Sequence, residues 1–272
     1  MKLLIGSEIA GFIKARQANS VANLLHAKNL TPKLAIIKTI DNPVIDLYVK
    51  LKQRYASDIG VEVDVHRVNQ QEVPRLVSKL NQDSATHGII IQLPIENQSE
   101  TEKLVNLVSP AKDVDALGTE AKFDPATPMA ILWLLSGYNI DLSDKRVVLV
   151  GRGKLVGRPL ENILKNSGVN VAVADSSTSN MEELTIMADV IITATGKPAV
   201  LSPAMVKPGA VVIDAGVASE DGKTVGDVSP DLYDRTDITI TPKKGGVGPL
   251  TVCALFENVI LAAERSITDK PK

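Results

Sequence analysis

The 272-residue chain is short of several residue types, and each shortage excludes a class of protein. A single cysteine, Cys253, excludes a disulfide framework and a cysteine-based metal site within one chain. Lys and Arg together number 30 against 32 Asp and Glu, so the chain has neither a basic nucleic-acid surface nor an acidic tail. Aromatic residues make up only 3%, which predicts an aliphatic core. We expect no bound metal ion.

Long apolar runs are also scarce. The apolar run in the opening segment MKLLIGSEIAGF is too short for a signal peptide. No apolar run in the chain is expected to be long enough to span a membrane. We therefore expect a cytoplasmic protein that contacts neither membranes nor nucleic acids. With 44% hydrophobic and 23% charged residues, the chain is long enough for two globular domains.

The segment 145–175, KRVVLVGRGKLVGRPLENILKNSGVNVAVAD, has the pattern of one βαβ unit. An apolar run ends in Gly151-Arg152-Gly153, Gly157 opens an amphipathic stretch, and a second apolar run ends at Asp175. Such glycines let a backbone approach a pyrophosphate at a helix start, and an acidic residue about 20 positions later meets the adenosine ribose. The spacing GxGxxxG is one residue longer than the usual motif, and an ordinary tight turn in a parallel sheet is the alternative.

The rest of the chain alternates helices and strands, which predicts an α/β fold. A long loop, Ser109–Pro128, separates two such regions. Ser99 and Glu102 have capping-box spacing at a helix start. The expected strands are Leu34–Lys38, Val61–Val68, Gly88–Leu93, Val190–Ala194, Ala210–Ala215 and Asp237–Thr241, and the expected helices include Ile9–Asn29, 43–59, Gln70–Gln82, Met129–Tyr138, Asn180–Ala188, Ser202–Val206 and Leu250–Ser266.

Eight motifs in order along the chain resemble those of the bifunctional methylenetetrahydrofolate dehydrogenase/methenyltetrahydrofolate cyclohydrolase family, and the resemblance covers essentially the whole chain. The motifs are YVKLK at 48–52, HGIIIQLPI at 87–95, PAKDVDA at 110–116, PATP at 125–128, LVGRGKLVGRP at 149–159, KPGAVVIDAG at 207–216, GDV at 226–228 and PKKGGVGPLT at 242–251.

The resemblance implies two α/β lobes with a cleft between them. One lobe is an N-terminal catalytic and folate-binding domain, residues 1–127, joined by the C-terminal helix at about 251–272. The other is a Rossmann-like NAD(P)-binding domain, residues 128–250. The implied function is NADP-dependent oxidation of 5,10-methylenetetrahydrofolate to the methenyl form and its hydrolysis to 10-formyltetrahydrofolate, which feeds purine biosynthesis. A homodimer is also implied.

The resemblance assigns roles to four residues of the first domain. Lys52 would shuttle protons at the folate one-carbon unit, and Tyr48, four residues earlier on the same helix face, would position the folate and orient Lys52. Gln92 would hydrogen-bond Lys52 and the substrate, and Asp115 would grip the pterin N–H groups. On residues alone, Lys52 is a solvated lysine, Gln92 bonds backbone at a strand end and Asp115 is a turn residue.

In the second domain, the resemblance assigns the cofactor to the segments after successive strands. Gly245 and Val252 would line the folate side of the cleft. By the resemblance, Arg152 and Ser176 favour NADP, whereas Asp175 favours NAD because a carboxylate repels a 2′-phosphate. We expect NADP, with NAD as the alternative. The expected cofactor-binding residues are Gly151, Arg152, Gly153, Asp175, Ser176 and Val217.

The chain departs from the family pattern near several of these positions. Ala116 replaces a usual glycine, Gly153 a usual serine, and Lys243-Lys244 a usual Val-Pro. Two alternatives therefore stay open. One is another two-lobed NAD(P) dehydrogenase, of the shikimate or amino-acid dehydrogenase kind, and the other is a non-catalytic folate- or nucleotide-binding relative.

Overall fold

Parallel strand pairing organises both main sheets of the computed structural model, which describes residues 1–220 and 223–268. The strands are β1 (Lys2–Leu3), β2 (Lys33–Lys38), β3 (Glu62–Arg67), β4 (Gly88–Ile91), β5 (Val147–Val150), β6 (Val171–Ala174), β7 (Val190–Thr193), β8 (Val211–Asp214), β9 (Ala218–Glu220), β10 (Lys223–Val225) and β11 (Thr239–Ile240). The helices are α1 (Gly6–Lys28), α2 (Pro43–Ile59), α3 (Val73–Gln82), α4 (Thr101–Val105), α5 (Ala126–Gly137), α6 (Gly157–Asn166), α7 (Met181–Ile186) and α8 (Val247–Thr268). Short 3₁₀ helices lie at Gln70–Glu72, Gln98–Glu100, Pro203–Met205 and Pro230–Asp234. The α/β class predicted from the sequence is confirmed.

Contacts divide the chain into two units, each with its own sheet. The six-stranded unit comprises Met1–Ala10 and Thr127–Thr251. The three-stranded unit comprises Gly11–Ala126 and the described chain from Val252 onward. Residues 1–10 were predicted in the N-terminal domain, but they lie in the six-stranded unit because β1 pairs in parallel with β11. The predicted helix residues 269–272 lie outside the described residues.

The six-stranded sheet has the order β1-β11-β8-β7-β5-β6. Strand β5 lies between β7 and β6, and its four residues Val147–Val150 are all buried, as expected for a parallel strand covered on both faces. The chain leaves β5 toward β6 on one side and reaches β7 on the other. In open α/β sheets, ligands bind beyond the carboxyl ends of strands at such a point.

The three-stranded sheet has the order β3-β2-β4, again all parallel. Both β2 and β4 are apolar and buried, and their side chains form a core with α3 and the segment before the long loop. Beside this sheet, helix α2 begins where the Asn42 side chain accepts the Val44 N–H at 2.8 Å, and ends at Gly60 with φ of 81°. These are an ordinary N-cap and a left-handed glycine C-cap.

Helix α8 is long and apolar enough, by length and composition, to cross a membrane, although the sequence was expected to contain no such run. Most of it is buried inside the structure, with Phe256 and Val259 fully enclosed. The core helix of a soluble protein passes the same test, so this single helix is weak evidence for a membrane span.

The helix after β4 starts differently from the prediction. Asn97, not Ser99, caps the 3₁₀ turn at Gln98–Glu100: its side chain accepts the N–H and the hydroxyl of Ser99, at 3.2 and 2.8 Å. Helix α4 then begins at Thr101. A polar residue two positions upstream formed the cap because the tight 3₁₀ turn placed Ser99 inside the element.

Candidate active site

A lysine and a glutamine from different elements meet in the three-stranded unit. Lys52, on α2, donates from Nζ to Oε1 of Gln92 at 2.7 Å. Gln92 follows β4 directly, and its backbone N–H continues the ladder by donating to the carbonyl of Ile37 at 2.9 Å. Its amide nitrogen donates to the carbonyl of Leu93 at 3.0 Å, which fixes Oε1 as the acceptor for Lys52.

Burial shifts the pKa values of two side chains at this site, Lys52 and Asp115. It lowers the pKa of Lys52, an effect that the charge of Asp115 opposes. It raises the pKa of Asp115, an effect that the charge of Lys52 opposes. The lysine and the carboxyl are therefore close enough to interact electrostatically. Because burial is the larger effect on both groups, their two pKa values move toward each other. A lysine with a lowered pKa exchanges protons more readily near neutral pH.

Tyr48 lies one turn before Lys52 on α2, and burial raises the pKa of its phenol. The structure therefore brings Lys52, Gln92 and Asp115 together, with Tyr48 on the same helix face as Lys52. Asp113, two residues before Asp115, accepts the N–H groups of Leu117 and Gly118 at 3.4 and 2.7 Å. It caps the loop locally.

The glycine turn lies at the carboxyl end of β5, in the six-stranded unit. Gly151 has φ of 109°, and a Cβ there would lie 2.5 Å from the carbonyl oxygen of Ala194, which follows β7. A Cβ on Gly157 would lie 2.2 Å from the carbonyl oxygen of Gly151. Both positions need glycine. A Cβ on Gly153, in contrast, would meet nothing within 4 Å, so the space around this position admits a side chain.

Arg152 is held by a glutamate that the sequence did not single out. Its Nε and Nη2 donate to the two oxygens of Glu161 at 3.0 and 2.9 Å, and Lys165 Nζ donates to Oε1 of the same carboxylate at 2.7 Å. Hydrogen bonds from Arg152 and Lys165 lower the pKa of Glu161 to about 2. The sequence signal was a charged residue on the buried face of α6, between Leu160 and Leu164.

Asp175 stands at the carboxyl end of β6, next along the sheet from Arg152. Its Oδ1 accepts the N–H and the hydroxyl of Ser177 at 2.9 and 2.6 Å, which lowers the pKa of the carboxyl. The charge of Asp175 also contributes to raising the pKa of Arg152. Ser176, which lies between Asp175 and Ser177 in the turn, is exposed. Asp175 therefore has both a local turn role and a charge near Arg152.

Val217 follows β8 and is 56% exposed. Two aspartates that were not predicted as site residues, Asp214 and Asp227, hold the backbone of the neighbouring segments through hydrogen bonds. Asp214 accepts the N–H groups of Gly216, Asp227 and Val228 at 3.0–3.2 Å, and Asp227 accepts the N–H of Thr195 at 2.6 Å. These bonds fix the segments after β7 and β8. The signal available was two motifs, DAG and GDV, that each pair an aspartate with a glycine.

The remaining predicted residues lie in different units. Gly245 has φ of 83° and accepts the Ser7 N–H through its carbonyl at 3.0 Å in the six-stranded unit, whereas Val252 is partly buried on α8 in the three-stranded unit. Within residues 1–220 and 223–268, no group of three or more His, Cys, Asp or Glu side chains could hold a metal ion.

Comparison with known proteins identifies the two halves of the chain. Residues 4–115 match the catalytic domain of tetrahydrofolate dehydrogenase/cyclohydrolase, and residues 125–267 match the NAD(P)-binding domain of the same proteins. The chain belongs to the tetrahydrofolate dehydrogenase/cyclohydrolase family. It is therefore an enzyme of the kind that carries both activities, with a catalytic domain and an NAD(P)-binding domain, as the sequence led us to expect.

Individual members of the family match the chain over nearly its whole length. The bifunctional protein FolD of Ligilactobacillus salivarius is 38% identical, over 97% of this chain and 98% of that protein. The crystal structure of the FolD dehydrogenase/cyclohydrolase from Campylobacter jejuni has a TM-score of 0.91 at 33% identity, covering 97% of this chain and 99% of that one. That of Trypanosoma brucei FolD, complexed with NADP and an inhibitor, has a TM-score of 0.91 at 29% identity, covering 97% and 98%. A different two-lobed dehydrogenase is not favoured.

Proposed function

We propose that this chain oxidises 5,10-methylenetetrahydrofolate to 5,10-methenyltetrahydrofolate with NADP, and hydrolyses the product to 10-formyltetrahydrofolate. The observation that carries the proposal is the hydrogen bond between Lys52 and Gln92, at 2.7 Å, beside the carboxyl of Asp115. Hydrolysis adds water to a cationic methenyl carbon and then opens the ring. Both steps move protons, so they need a base that gains and loses a proton at working pH.

In this proposal each residue of the three-stranded unit has one task. Lys52 accepts one proton from the attacking water and returns it to the departing ring nitrogen, while the remaining hydroxyl proton is released to solvent as the C–N bond breaks and the formyl carbonyl forms. Gln92 holds the lysine by accepting its hydrogen bond, and Tyr48 packs against the folate. Asp115 accepts N–H groups of the pterin. The raised pKa of Asp115 fits a carboxyl awaiting donors, because bound N–H groups would replace the water that burial removes.

The cofactor site in this proposal is the carboxyl edge of the six-stranded sheet. Gly151 and Gly153 lie against the pyrophosphate, Val217 against the nicotinamide half, and Arg152, Asp175 and Ser176 around the adenosine ribose. When bound, NADP would accept the hydride on its nicotinamide ring. The engagement of Asp175 with Ser177 supports NADP, because part of the carboxylate charge is committed to its own turn. NAD is the alternative that Asp175 itself favours.

Two further parts of the proposal concern the whole protein. We propose a homodimer that associates through the six-stranded unit, and a cytoplasmic location. Both rest on the family resemblance. Light scattering on the purified protein tests the first: a mass of one chain, 29.0 kDa, at micromolar concentration would contradict it.

An absorbance assay with methylenetetrahydrofolate, run in parallel with NADP and NAD, tests the reaction. Formation of reduced cofactor establishes the dehydrogenase activity. Faster turnover with NADP would mean that Arg152 sets the cofactor preference, and faster turnover with NAD would mean that Asp175 does. Enzyme-dependent decay of added methenyltetrahydrofolate establishes the cyclohydrolase. Folded protein that binds folate without turning over either substrate would contradict the proposal and support the non-catalytic relative.

A further inference from the structure

Glu161 is a carboxylate buried beside the arginine of the proposed ribose site. Its side chain is 7% exposed, whereas the side chains of Arg152 and Lys165 are 48% and 54% exposed. Burying a carboxylate is costly unless it is paired and hydrogen-bonded. Three charged hydrogen bonds, two from Arg152 and one from Lys165, meet that requirement. With a pKa of about 2, Glu161 stays ionised across the working range of the protein.

The pairing with Arg152 is side-on and leaves one edge of the guanidinium outside it. Glu161 takes the Nε hydrogen and one Nη2 hydrogen. The outer edge, formed by Nη1 and the second Nη2 hydrogen, has the fork geometry that binds phosphate or carboxylate with two hydrogen bonds. Arg152 directly follows Gly151 at the carboxyl end of β5, where the fold directs a dinucleotide. The buried carboxylate therefore fixes which edge is presented.

The four charged groups that interact around Arg152 carry no net charge. Arg152 and Lys165 contribute two positive charges, and Glu161 and Asp175 contribute two negative charges, because hydrogen bonds hold the pKa values of both carboxyls low. Because these four charges balance, they supply no net attraction for a 2′-phosphate, and the orientation of the Arg152 donors is what they contribute to discrimination. An oriented fork supplies that orientation.

We propose that Glu161 is a positioning residue that sets the preference for NADP over NAD by holding the outer edge of Arg152 toward the 2′-phosphate. The inference rests on the proposed function. Glu161 itself contacts neither substrate nor cofactor. Its effect is specific to the phosphate, because NAD offers a 2′-hydroxyl that does not need a doubly bonded guanidinium.

The test compares Glu161→Gln with wild type in the dehydrogenase assay with each cofactor. We expect kcat/KM for NADP to fall about tenfold through KM, and kcat/KM for NAD to stay within about twofold. Asp237→Asn is the matched control: Asp237 also receives a side-on pair from an arginine of the same unit, with Arg235 Nε at 2.8 Å. It should leave the ratio of NADP to NAD unchanged.

A binding measurement separates this inference from the proposed function. Calorimetry with adenosine 2′,5′-bisphosphate and with adenosine 5′-monophosphate isolates the phosphate without any catalysis. Wild type should prefer the bisphosphate, and Glu161→Gln should lose that preference. A wild type that binds neither nucleotide overturns the proposed function, and this inference with it. A wild type that prefers the bisphosphate, with the same preference in the variant, overturns only the role of Glu161.

One other outcome is decisive. A variant with increased preference for NADP would mean that Glu161 acts as a counter-charge against phosphate, which contradicts positioning. If Glu161→Gln does not fold, Arg152→Lys replaces it, because lysine keeps the charge and loses the fork. The same tenfold loss with NADP is then expected, and an unchanged ratio would overturn the inference.

Discussion

The Lys52 site and the Arg152 site treat their charges in opposite ways. At Lys52, burial lowers the pKa of the lysine and raises that of Asp115, so both move toward neutral pH. At Arg152, hydrogen bonds raise the pKa of the arginine and lower that of Glu161, so both move away from it. The first arrangement makes a proton easy to move, and the second makes charges permanent.

The hydrogen-bond partners of Lys52 and Arg152 explain why their pKa values shift in opposite directions. Lys52 hydrogen-bonds a neutral amide, which satisfies its geometry without stabilising its charge as a carboxylate would. Arg152 hydrogen-bonds a carboxylate on two atoms, which locks both groups in the ionised form. One unit thus carries a site suited to proton transfer, and the other a site suited to recognising a fixed anion.

The largest expected effect is on the proton-transfer side of this comparison. Lys52→Met should reduce cyclohydrolase turnover by about 10³-fold or more, because methionine fills similar space without a titratable proton. The measurement is the decay of methenyltetrahydrofolate absorbance. Lys50→Met, an exposed lysine on the same helix, is the control and should remain active. Retained turnover in Lys52→Met would remove the basis of the comparison.

A second prediction concerns the backbone of the anion-binding side. Gly157→Ala should destabilise the protein by about 2–4 kcal/mol and weaken dinucleotide binding, because the new Cβ would lie 2.2 Å from the Gly151 carbonyl oxygen. Gly153→Ala, with open space around it, should change stability by less than about 0.5 kcal/mol. Urea unfolding measures both. Equal costs would mean that the turn relaxes around either methyl group.

The third prediction changes the electrostatic partner of Lys52. Asp115→Asn removes a charge that raises the pKa of Lys52, so that pKa should fall further. The limb of the cyclohydrolase pH profile that reports the lysine should move to lower pH. Lost pterin contacts should also reduce kcat/KM by about 10–100-fold. Asp64→Asn, which breaks an ion pair with Lys33 elsewhere in the unit, should leave the limb in place. A limb that moves upward would contradict the arrangement.

Local sequence signals predicted most helices and strands but missed features that depend on distant residues. Helix α2 was predicted to its last residue because Pro43 and Gly60 act through their own backbone preferences. Strand β1 was missed because two residues show no periodicity. It exists because Lys2 and Leu4 donate to the carbonyls of Ile238 and Ile240, far along the chain. The antiparallel pair of β9 and β10 was missed as well.

The site divides in the same way. The family resemblance named Lys52, Gln92 and Asp115, and the structure brings them together. Spacing could not reveal Glu161 as the partner of Arg152, because a helix face becomes buried only once the sheet is packed. Asp214 and Asp227 likewise become partners through strand order. What the sequence does show is a charged residue, Glu161, between the apolar positions Leu160 and Leu164 of α6, without showing which residue pairs with it.

The fourth prediction tests whether the charges at Arg152 are permanent. The pKa of Glu161 is about 2 in the folded protein, against 4.5 when unperturbed. Its stabilisation is therefore complete above about pH 4.5 and is lost as the pH falls toward 2. Because its partners are half exposed, the loss should be about 1 kcal/mol. Glu161→Gln should lack this part of the acid slope in urea titrations, whereas Glu182→Gln, at an exposed position, should keep it. An unchanged slope in Glu161→Gln would contradict the lowered pKa.

The smallest expected effect concerns the loop that carries Asp115. Ala116 has φ of 55°, in the left-handed region that favours glycine. Ala116→Gly relieves about 1–2 kcal/mol of strain and costs about 0.4–1 kcal/mol in unfolded-state entropy, so stability should rise by about 0.5–1 kcal/mol. Ala111→Gly, in the same loop without a positive φ, should lower stability by about 0.4–1 kcal/mol. Opposite signs in urea unfolding would show that Asp115 is presented from a strained turn, and two losses would show that Ala116 carries no strain.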